Sequence, residues 1–238
     1  MASAVIRPFK TEDDKLARFM VAKSNMEQLA MANRRAKYHP LFLGAWVAFA
    51  AILVKYMQWW PDLQTGLFSY LRPLPILAAT FLPLMFAMDW INRPYFEQLT
   101  QDVLRAPDMR DVKGHYSRAP GSGFWILEFG QQFVGLIALD ASADDTSRTA
   151  IIRHFYVQEP YPSSGIASDL LSHAVDRCFN SNAGIQEIKA GDSPLVPYTR
   201  KALQEAGFVM ERTTDTVGVF GWKLGLRSLQ RDVWEKKA

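Results

Sequence analysis

A long apolar stretch in the first half of the chain sets the strongest constraint on its fold. Between His39 and Asp89 only Lys55, Asp62 and Arg72 carry a full charge, whereas charges of both signs are frequent in the rest of the 238 residues. Because a helix rises about 1.5 Å per residue, roughly 20 apolar residues cross the hydrocarbon core of a bilayer. The stretch is therefore predicted to lie in a membrane, with the remainder of the chain forming a soluble domain.

The apolar stretch divides into two runs that predict a helical hairpin. The first run, 41–60, is interrupted only by Lys55, and the second, 74–88, contains two prolines. Prolines are tolerated in membrane helices. The connecting "PDLQTG" permits only a turn, so both flanks lie on the same side of the bilayer. A buried hydrophobic hairpin in a soluble core and an interfacial re-entrant loop are the alternatives.

The flanks of the hairpin predict its orientation. The basic segment "NRRAK" (33–37) precedes it and Arg93 follows it. Cytosolic flanks carry an excess of Lys and Arg, so the soluble domain is expected to face the cytosol. The first residues, "MASAVIRPFKTEDDK", contain no apolar core of a signal peptide, and no cleavable signal is expected.

Composition excludes several other classes of protein. The net charge is only +3, and no basic stripe is interleaved with aromatic residues, so no nucleic-acid partner is expected. Cys178 is the single cysteine, which excludes an internal disulfide and a CxxC metal site. We expect Cys178 to be a small core residue and expect no metal site.

The soluble residues follow the order β, α, apolar hairpin, α, β, β, β, α, β, α, β, β, which predicts an α/β fold with a mixed sheet flanked by helices. Strands are expected at 4–9, 122–130, 131–140, 149–157, 185–190, 208–213 and 216–225, and helices at 11–37, 95–105, 166–179 and 197–207. Four segments result, namely 1–38 (first strand and helix), 39–92 (hairpin), 93–225 (main domain) and 226–238 (charged helical tail).

The segment 108–145, and within it "GFWILE" followed by "FVGLIAL", resembles the GCN5-related N-acetyltransferases (GNAT). The resemblance covers nearly the whole soluble length. It is closest to the membrane-anchored branch of the endoplasmic reticulum, which acetylates cysteine conjugates and amino acids. The resemblance implies acetyl transfer from acetyl-CoA to an amine and a location in that membrane.

The turn "PSSGIA" (162–167) matches the family's acetyl-CoA motif in part. The motif is Arg/Gln-x-x-Gly-x-Gly/Ala after the fourth strand, where backbone N–H groups and the helix N-terminus hold the pyrophosphate. Gly165 and Ala167 occupy its last two positions, while Pro162 replaces the basic or amide residue. The resemblance implies that Ser163, Ser164, Gly165, Ile166 and Ala167 bind the phosphates. A purely structural turn is the alternative.

The resemblance also implies roles for four other positions. A backbone amide at Tyr156 or Val157 polarises the acetyl carbonyl, and Asp192 lies near the CoA arm. His154 and Glu128 assist deprotonation of the acceptor amine, since a group that titrates near neutrality suits this step. The alternatives are a hydrogen-bonded core histidine at 154 and a solvated strand end at 128.

A second departure from the family, together with the altered turn, leaves two functions open. The family's tyrosine, four residues before the "GF" at 207–208, is Leu203 here, and Tyr198 is expected on another face of that helix. The first function is a membrane-anchored N-acetyltransferase that acts on a primary amine of a small molecule or protein. The second is a degenerate domain that serves as a membrane scaffold or chaperone-type protein, with a membrane-protein partner bound through the hairpin.

Overall fold

The computed structural model describes residues 4–61, 70–130, 132–144, 148–158 and 165–237. The strands are β1 (Ala4–Pro8), β2 (Gly123–Phe129), β3 (Gln132–Asp144), β4 (Thr149–Val157), β5 (Glu187–Asp192), β6 (Val209–Val217) and β7 (Trp222–Gln230). The helices are α1 (Asp14–Ala36), α2 (Pro40–Tyr56), α3 (Leu74–Arg105), α4 (Pro107–Arg110), α5 (Val112–Tyr116), α6 (Ile166–Ser181), α7 (Pro197–Ala206) and α8 (Arg231–Glu235).

The seven strands form one mixed sheet in the order β1-β2-β3-β4-β5-β7-β6. All neighbours are antiparallel except β4 and β5, which pair in parallel from Thr149 and Glu187 to Ile152 and Ala190. Beyond these residues the two strands part, and the sheet opens between them. The predicted α/β fold with a mixed sheet and flanking helices is therefore confirmed.

Helices cover both faces of the sheet. The apolar face of α6 packs on one side, where Leu170, Leu171 and Cys178 are fully buried. Burial raises the pKa of the Cys178 thiol to about 12, as expected for a core cysteine. On the other side, α1 and the two short helices α4 and α5 bury Met20 and Tyr116 against the sheet. The sheet is thus the middle layer of three.

A β-bulge interrupts β4 at the point where it parts from β5. Ala138 pairs with His154 and the next residue, Leu139, pairs with Ile152, which leaves Arg153 without an opposite residue on β3. In a regular strand Ile152, His154 and Tyr156 would share one face, and the bulge breaks this alternation. Ile152 packs in the α6 layer, whereas Tyr156 packs in the α1 layer. Bulges commonly redirect side chains next to active sites.

The apolar helices differ from the expected hairpin in their lengths. α3 runs without a break from Leu74 to Arg105 and crosses the boundary expected at 92–93, although Pro83 and Pro94 lie inside it. α2 is only 17 residues long. Among the described residues, α3 is the one single helix that is long and apolar enough to cross a membrane, and the bent pair α1–α2 would add a second span. The transmembrane hairpin is therefore not confirmed, and most of its predicted turn lies outside the described residues.

The C-terminal part forms more strand than expected. Gly218 and Gly221 have φ angles of +75° and +61° and form the turn between β6 and β7, which places this turn inside the strand expected at 216–225. β7 then continues to Gln230, with Arg227 and Leu229 buried at alternate positions. The expected helical tail is reduced to the five residues of α8.

Candidate functional site

A cavity of about 330 Å³ lies where β4 and β5 part. Ser24, Asn25 and Gln28 of α1 line it on one side of the sheet, and Thr199 and Leu203 of α7 line it on the other. The cavity therefore passes through the opening in the sheet. A molecule that enters from one side can meet a molecule that enters from the other at the bulged part of β4.

His154 lines this cavity and is held by a buried carboxylate. Its Nε2 lies 2.7 Å from Oδ2 of Asp108 on α4, and the Tyr116 hydroxyl donates to the same oxygen at 2.9 Å. Burial by itself raises the pKa of Asp108. The hydrogen bond and charge of the His154 ring, together with the Tyr116 hydroxyl, outweigh that effect and lower the pKa to about 2. Asp108 is therefore ionised at neutral pH.

A second histidine–aspartate pair lies beside the first. Oδ2 of the buried Asp140 is 3.1 Å from His115 Nε2 and 3.3 Å from Nη2 of Arg153. Burial by itself raises the pKa of Asp140. Hydrogen bonds from Ser142 and His115 lower the pKa by more than burial raises it, so the net shift is downward. The His115 ring also packs edge-on against Tyr116. This pair anchors the bulge residue Arg153 and so supports the position of His154.

The amide of Val157 points away from β3, into the opening of the sheet. Its N–H donates to the phenol oxygen of Tyr198 at 3.2 Å. Tyr198 lies in the first turn of α7 and is half-buried, so the phenol reaches across the opening to β4. Leu203, by contrast, is buried in the apolar core. The Tyr156 side chain points to α1, where its hydroxyl donates to Glu27 at 2.7 Å.

The N-terminus of α6 lies just after the predicted phosphate turn. Gly165 has a φ of +81°, a conformation that disfavours residues with a side chain, and its carbonyl accepts the N–H groups of Ser168 and Asp169. The first N–H groups of a helix have no acceptor within it, so those of Ile166 and Ala167 are suited to an anion. Ser163 and Ser164 lie outside the described residues.

Asp192 is buried at the end of β5 and paired with two arginines. Arg200 Nε lies 2.8 Å from one carboxylate oxygen, and Arg227 Nε lies 3.1 Å from the other. Each carboxylate oxygen of Asp192 therefore already accepts a hydrogen bond from an arginine. A role for this residue in binding the CoA arm stays a prediction.

Glu128 lies apart from the cavity. Its Oε1 accepts two hydrogen bonds from Arg7, at 2.6 and 2.9 Å, and Arg7 also binds Asp13. Glu128 does not line the cavity at β4 and β5. The structure thus brings His154, Val157 and Asp192 to one region and leaves Glu128 outside it.

Polar side chains form a hydrogen-bonded chain on the α1 side of the cavity. The Leu195 amide donates to Ser193 Oγ, whose hydroxyl donates to Gln28 Oε1, and Gln28 Nε2 lies 3.4 Å from Asn25 Oδ1. Asn25 Nδ2 is left as a buried donor with no partner among the described residues.

Asp108 was not indicated by the sequence, and no role was assigned to Tyr198. Asp108 lies in a four-residue helix that no periodic pattern predicts, and 46 positions separate it from His154. Tyr198 was expected on a different face of its helix from Leu203. Its position directly after Pro197, at a helix start, was the available signal. In the described part of the chain, no three His, Cys, Asp or Glu side chains are grouped so that they can hold a metal ion.

Comparisons with known proteins agree with this fold. The model of the acetyltransferase (GNAT) family matches residues 84–208, more than half of the chain. "Probable N-acetyltransferase camello" of Xenopus tropicalis is 27% identical over 186 residues, which are 76% of this chain and 77% of that protein. "N-acetylaspartate synthetase" of Xenopus tropicalis is 25% identical over 166 residues, 69% of this chain and 55% of that protein.

A solved structure shows the same fold at low sequence identity. Spermidine N-acetyltransferase from Vibrio cholerae, crystallised in complex with CoA and spermine, superposes with a TM-score of 0.51 at 12% identity over 98% of each chain. Together, the family match, the two relatives and the opened mixed sheet show that this chain belongs to the GNAT family and is an acyltransferase of the N-acetyltransferase type.

Proposed function

We propose that this protein is a membrane-anchored N-acetyltransferase that transfers the acetyl group of acetyl-CoA to a primary amine of a small molecule or protein. The observation that carries the proposal is the convergence of His154, the Val157 amide and Tyr198 at the opening between β4 and β5. His154 and Val157 are three residues apart on one strand, which corresponds to about 10 Å. The cavity that His154 lines, of about 330 Å³, is large enough for the reacting groups of both substrates.

His154 serves as the proton acceptor for the amine. Ionised Asp108 can only accept hydrogen bonds, so the His154 Nε2 that faces it carries the proton. In the neutral ring the lone pair is then on Nδ1. As the amine nitrogen bonds to the acetyl carbonyl carbon, its proton passes to this nitrogen, directly or through one water. Because Glu128 lies outside the cavity, His154 alone has this role in the proposal.

The Val157 amide and Tyr198 act on the acetyl carbonyl and the leaving sulfur. The carbonyl oxygen takes the N–H of Val157, which stabilises the negative charge that develops during attack. When the Val157 N–H donates to the acetyl carbonyl oxygen, it no longer donates to the Tyr198 phenol oxygen. The phenol then lies beside the reacting thioester. When the C–S bond breaks, the phenol donates its proton to the thiolate. Tyr198 thus replaces the family's tyrosine, which is Leu203 here.

The acetyl-CoA phosphates bind at the N-terminus of α6, through the amides of Ile166 and Ala167 and, as the resemblance implies, through Ser163 and Ser164. At about 100 times Kd, acetyl-CoA is expected to stabilise the protein by about 2.7 kcal/mol, a rise in Tm of about 5–10 °C. Gly165→Ala is expected to weaken binding about tenfold or more. Alanine disfavours the positive φ of Gly165, so the backbone shifts and an amide loses its hydrogen bond to the phosphate. Loss of one hydrogen bond to a charged group costs about 1.5–3 kcal/mol.

The matched control is Gly221→Ala, in the β6–β7 turn. Gly165 and Gly221 both have positive φ, and a Cβ has room at each, so both variants carry the same backbone strain. Calorimetry in detergent should show normal acetyl-CoA binding for Gly221→Ala and weakened binding for Gly165→Ala. If acetyl-CoA does not bind wild-type protein up to millimolar concentration, the proposed function is wrong.

We expect the amine that accepts the acetyl group to carry few positive charges. Among the described residues that line the cavity, Asp192 is the one carboxylate, and two arginines already neutralise it. A polyamine would therefore find no acidic partner there. The unpaired donor of Asn25 instead favours an acceptor with an oxygen near its amine. Rates measured for monoamines and polyamines at saturating acetyl-CoA test this preference.

Membrane anchoring is supported by the exposed apolar surface of α2 and α3. The two helices pack together through Trp46 and Phe81, whose rings are 5.1 Å apart. Large apolar side chains such as Ile52 and Phe86 nevertheless remain exposed on the outside. An apolar surface of this kind indicates contact with lipid or with another protein. The basic flanks favour an orientation with the soluble domain in the cytosol. The resemblance to the membrane-anchored branch favours the endoplasmic reticulum as the membrane.

A further inference from the structure

Polar side chains form a layer of hydrogen bonds around the middle of α3, between its apolar N-terminal half and its polar C-terminal half. Asn33 Nδ2 donates to Asp89 at 2.7 Å, and Asn92 Nδ2 donates to Asn33 Oδ1 at 2.8 Å. The Val219 amide, in the β6–β7 turn, donates to Asn92 Oδ1 at 2.9 Å. Asn92 is fully buried. The layer joins α1, α3 and the sheet, so it fixes the soluble domain relative to the apolar part of α3.

A second cavity, of about 420 Å³, lies beside this layer between α1 and α3. Its α1 wall contains Arg34 and Lys37, and its α3 wall contains Leu82, Met85 and Phe86. One wall is thus cationic and the other is apolar. This cavity is separate from the cavity at β4 and β5, with which it shares no lining residue.

The cavity carries a net positive charge. Asp89, its one acidic residue, is bound by Arg93 at 2.7 Å and by Asn33. Arg34 and Lys37 have no ion-pair partner in the part of the chain that the structure describes. Two uncompensated cations beside an apolar wall are complementary to a ligand with an anionic head and a hydrocarbon tail.

We infer that this cavity binds one anionic phospholipid, with its phosphate at Arg34 and Lys37 and an acyl chain along Leu82, Met85 and Phe86. The inference rests on the proposed membrane anchoring, because the lipid would come from the surrounding bilayer. The apolar wall continues into exposed surface, where Phe86 is 75% exposed. A soluble anion such as phosphate would leave this apolar wall unused.

Aromatic residues support the placement of the cavity at the membrane surface. Tyr38, at the junction of α1 and α2, and Trp90, on α3, are 78% and 82% exposed. Tyr and Trp side chains concentrate at the headgroup level of bilayers. Basic residues at that level attract anionic lipids, and pockets of this kind between helices bind their headgroups.

The test measures binding of phosphatidylserine and of phosphatidylcholine with identical acyl chains to the full chain in a neutral detergent. Wild-type protein is expected to prefer phosphatidylserine. In the double variant Arg34→Gln/Lys37→Gln, affinity for phosphatidylserine should fall about 25-fold, since each basic residue near the surface contributes about fivefold. Ala30→Phe, which fills the cavity from its rim without a change of charge, should also weaken binding.

The matched control is the double variant Lys15→Gln/Lys113→Gln. It removes the same charge from exposed positions, and Lys15 lies on α1 about 28 Å from Arg34. Its affinity for phosphatidylserine should equal that of the wild type. If both double variants bind equally, or if Ala30→Phe has no effect, the cavity is not the lipid site. Binding of inorganic phosphate as tight as that of phosphatidylserine would identify a soluble-anion site and overturn the inference.

Flotation with vesicles separates this inference from the anchoring on which it rests. Protein that floats with pure phosphatidylcholine vesicles but shows no preference for phosphatidylserine is anchored and lacks the lipid site. Protein that floats with neither kind of vesicle is not anchored, and both proposals are then wrong.

Discussion

Asp192→Ala is expected to lower the free energy of unfolding by about 3–5 kcal/mol, because it leaves a buried arginine without its partner. Asp192 is completely buried, and the side chain of Arg227 is only 9% exposed. Their contact ties the end of β5 to β7, and Arg200 ties the same carboxylate to α7. Thermal unfolding in detergent should show a Tm lower by about 6–20 °C.

Two further variants show whether the buried pair is the cause. Arg200→Gln removes only the more exposed partner, so we expect a loss of no more than about 1 kcal/mol. The double variant Asp192→Leu/Arg227→Met replaces both buried charges with apolar groups and should be more stable than Asp192→Ala. A loss below 1 kcal/mol for Asp192→Ala would show that the pair does not hold β5 in place.

The same variants bear on the predicted cofactor role of Asp192. Because the carboxylate lies at the end of β5, its loss can change acetyl-CoA binding by moving the strand. Asp192→Asn keeps an oxygen acceptor for one arginine and preserves the shape of the side chain. If Asp192→Asn is folded and its affinity for acetyl-CoA is unchanged, the residue is a structural support of the cavity.

The strands that could be predicted from the sequence are those with a β-branched and aromatic run between recognisable turn or loop residues. β4 was predicted with its observed bounds, 149–157, because a β-branched and aromatic run stands between a polar loop and a small-residue turn. β7 was cut short because the glycines of the preceding turn were placed inside a strand. The length of α3 was missed because "DWINRP" interrupts the apolar run, whereas Asp89 and Asn92 continue the helix and bind Asn33.

The candidate site could be predicted only where its residues lie on the predicted strand. His154 and the Val157 amide are parts of β4, and the fold resemblance assigned roles to both. Their partners, Asp108 and Tyr198, come from elements 46 and 41 residues away, and no local pattern links such distant positions. The bulge at Arg153 also has no signature in the sequence. The electrostatic environment of the site therefore follows from tertiary structure alone.

His154→Ala is expected to lower kcat by about 10²–10⁴, the usual contribution of a positioned general base. In Asp108→Asn the charged acceptor that holds the proton on His154 Nε2 is replaced by a neutral amide. The kcat of this variant should therefore fall, because the ring is held less firmly in the tautomer whose Nδ1 accepts the proton of the amine.

Neighbouring variants separate this effect from a loss of structure. Tyr116→Phe removes one hydrogen bond to Asp108 but keeps the carboxylate, so its kcat should stay close to that of the wild type. Asp140 and Arg153 keep their charges in His154→Ala, Asp108→Asn and Tyr116→Phe, which holds the rest of the local field constant. Acetyl-CoA binding should stay normal in His154→Ala, since the α6 N-terminus is untouched. A folded His154→Ala protein with the kcat of the wild type would show that another group accepts the proton.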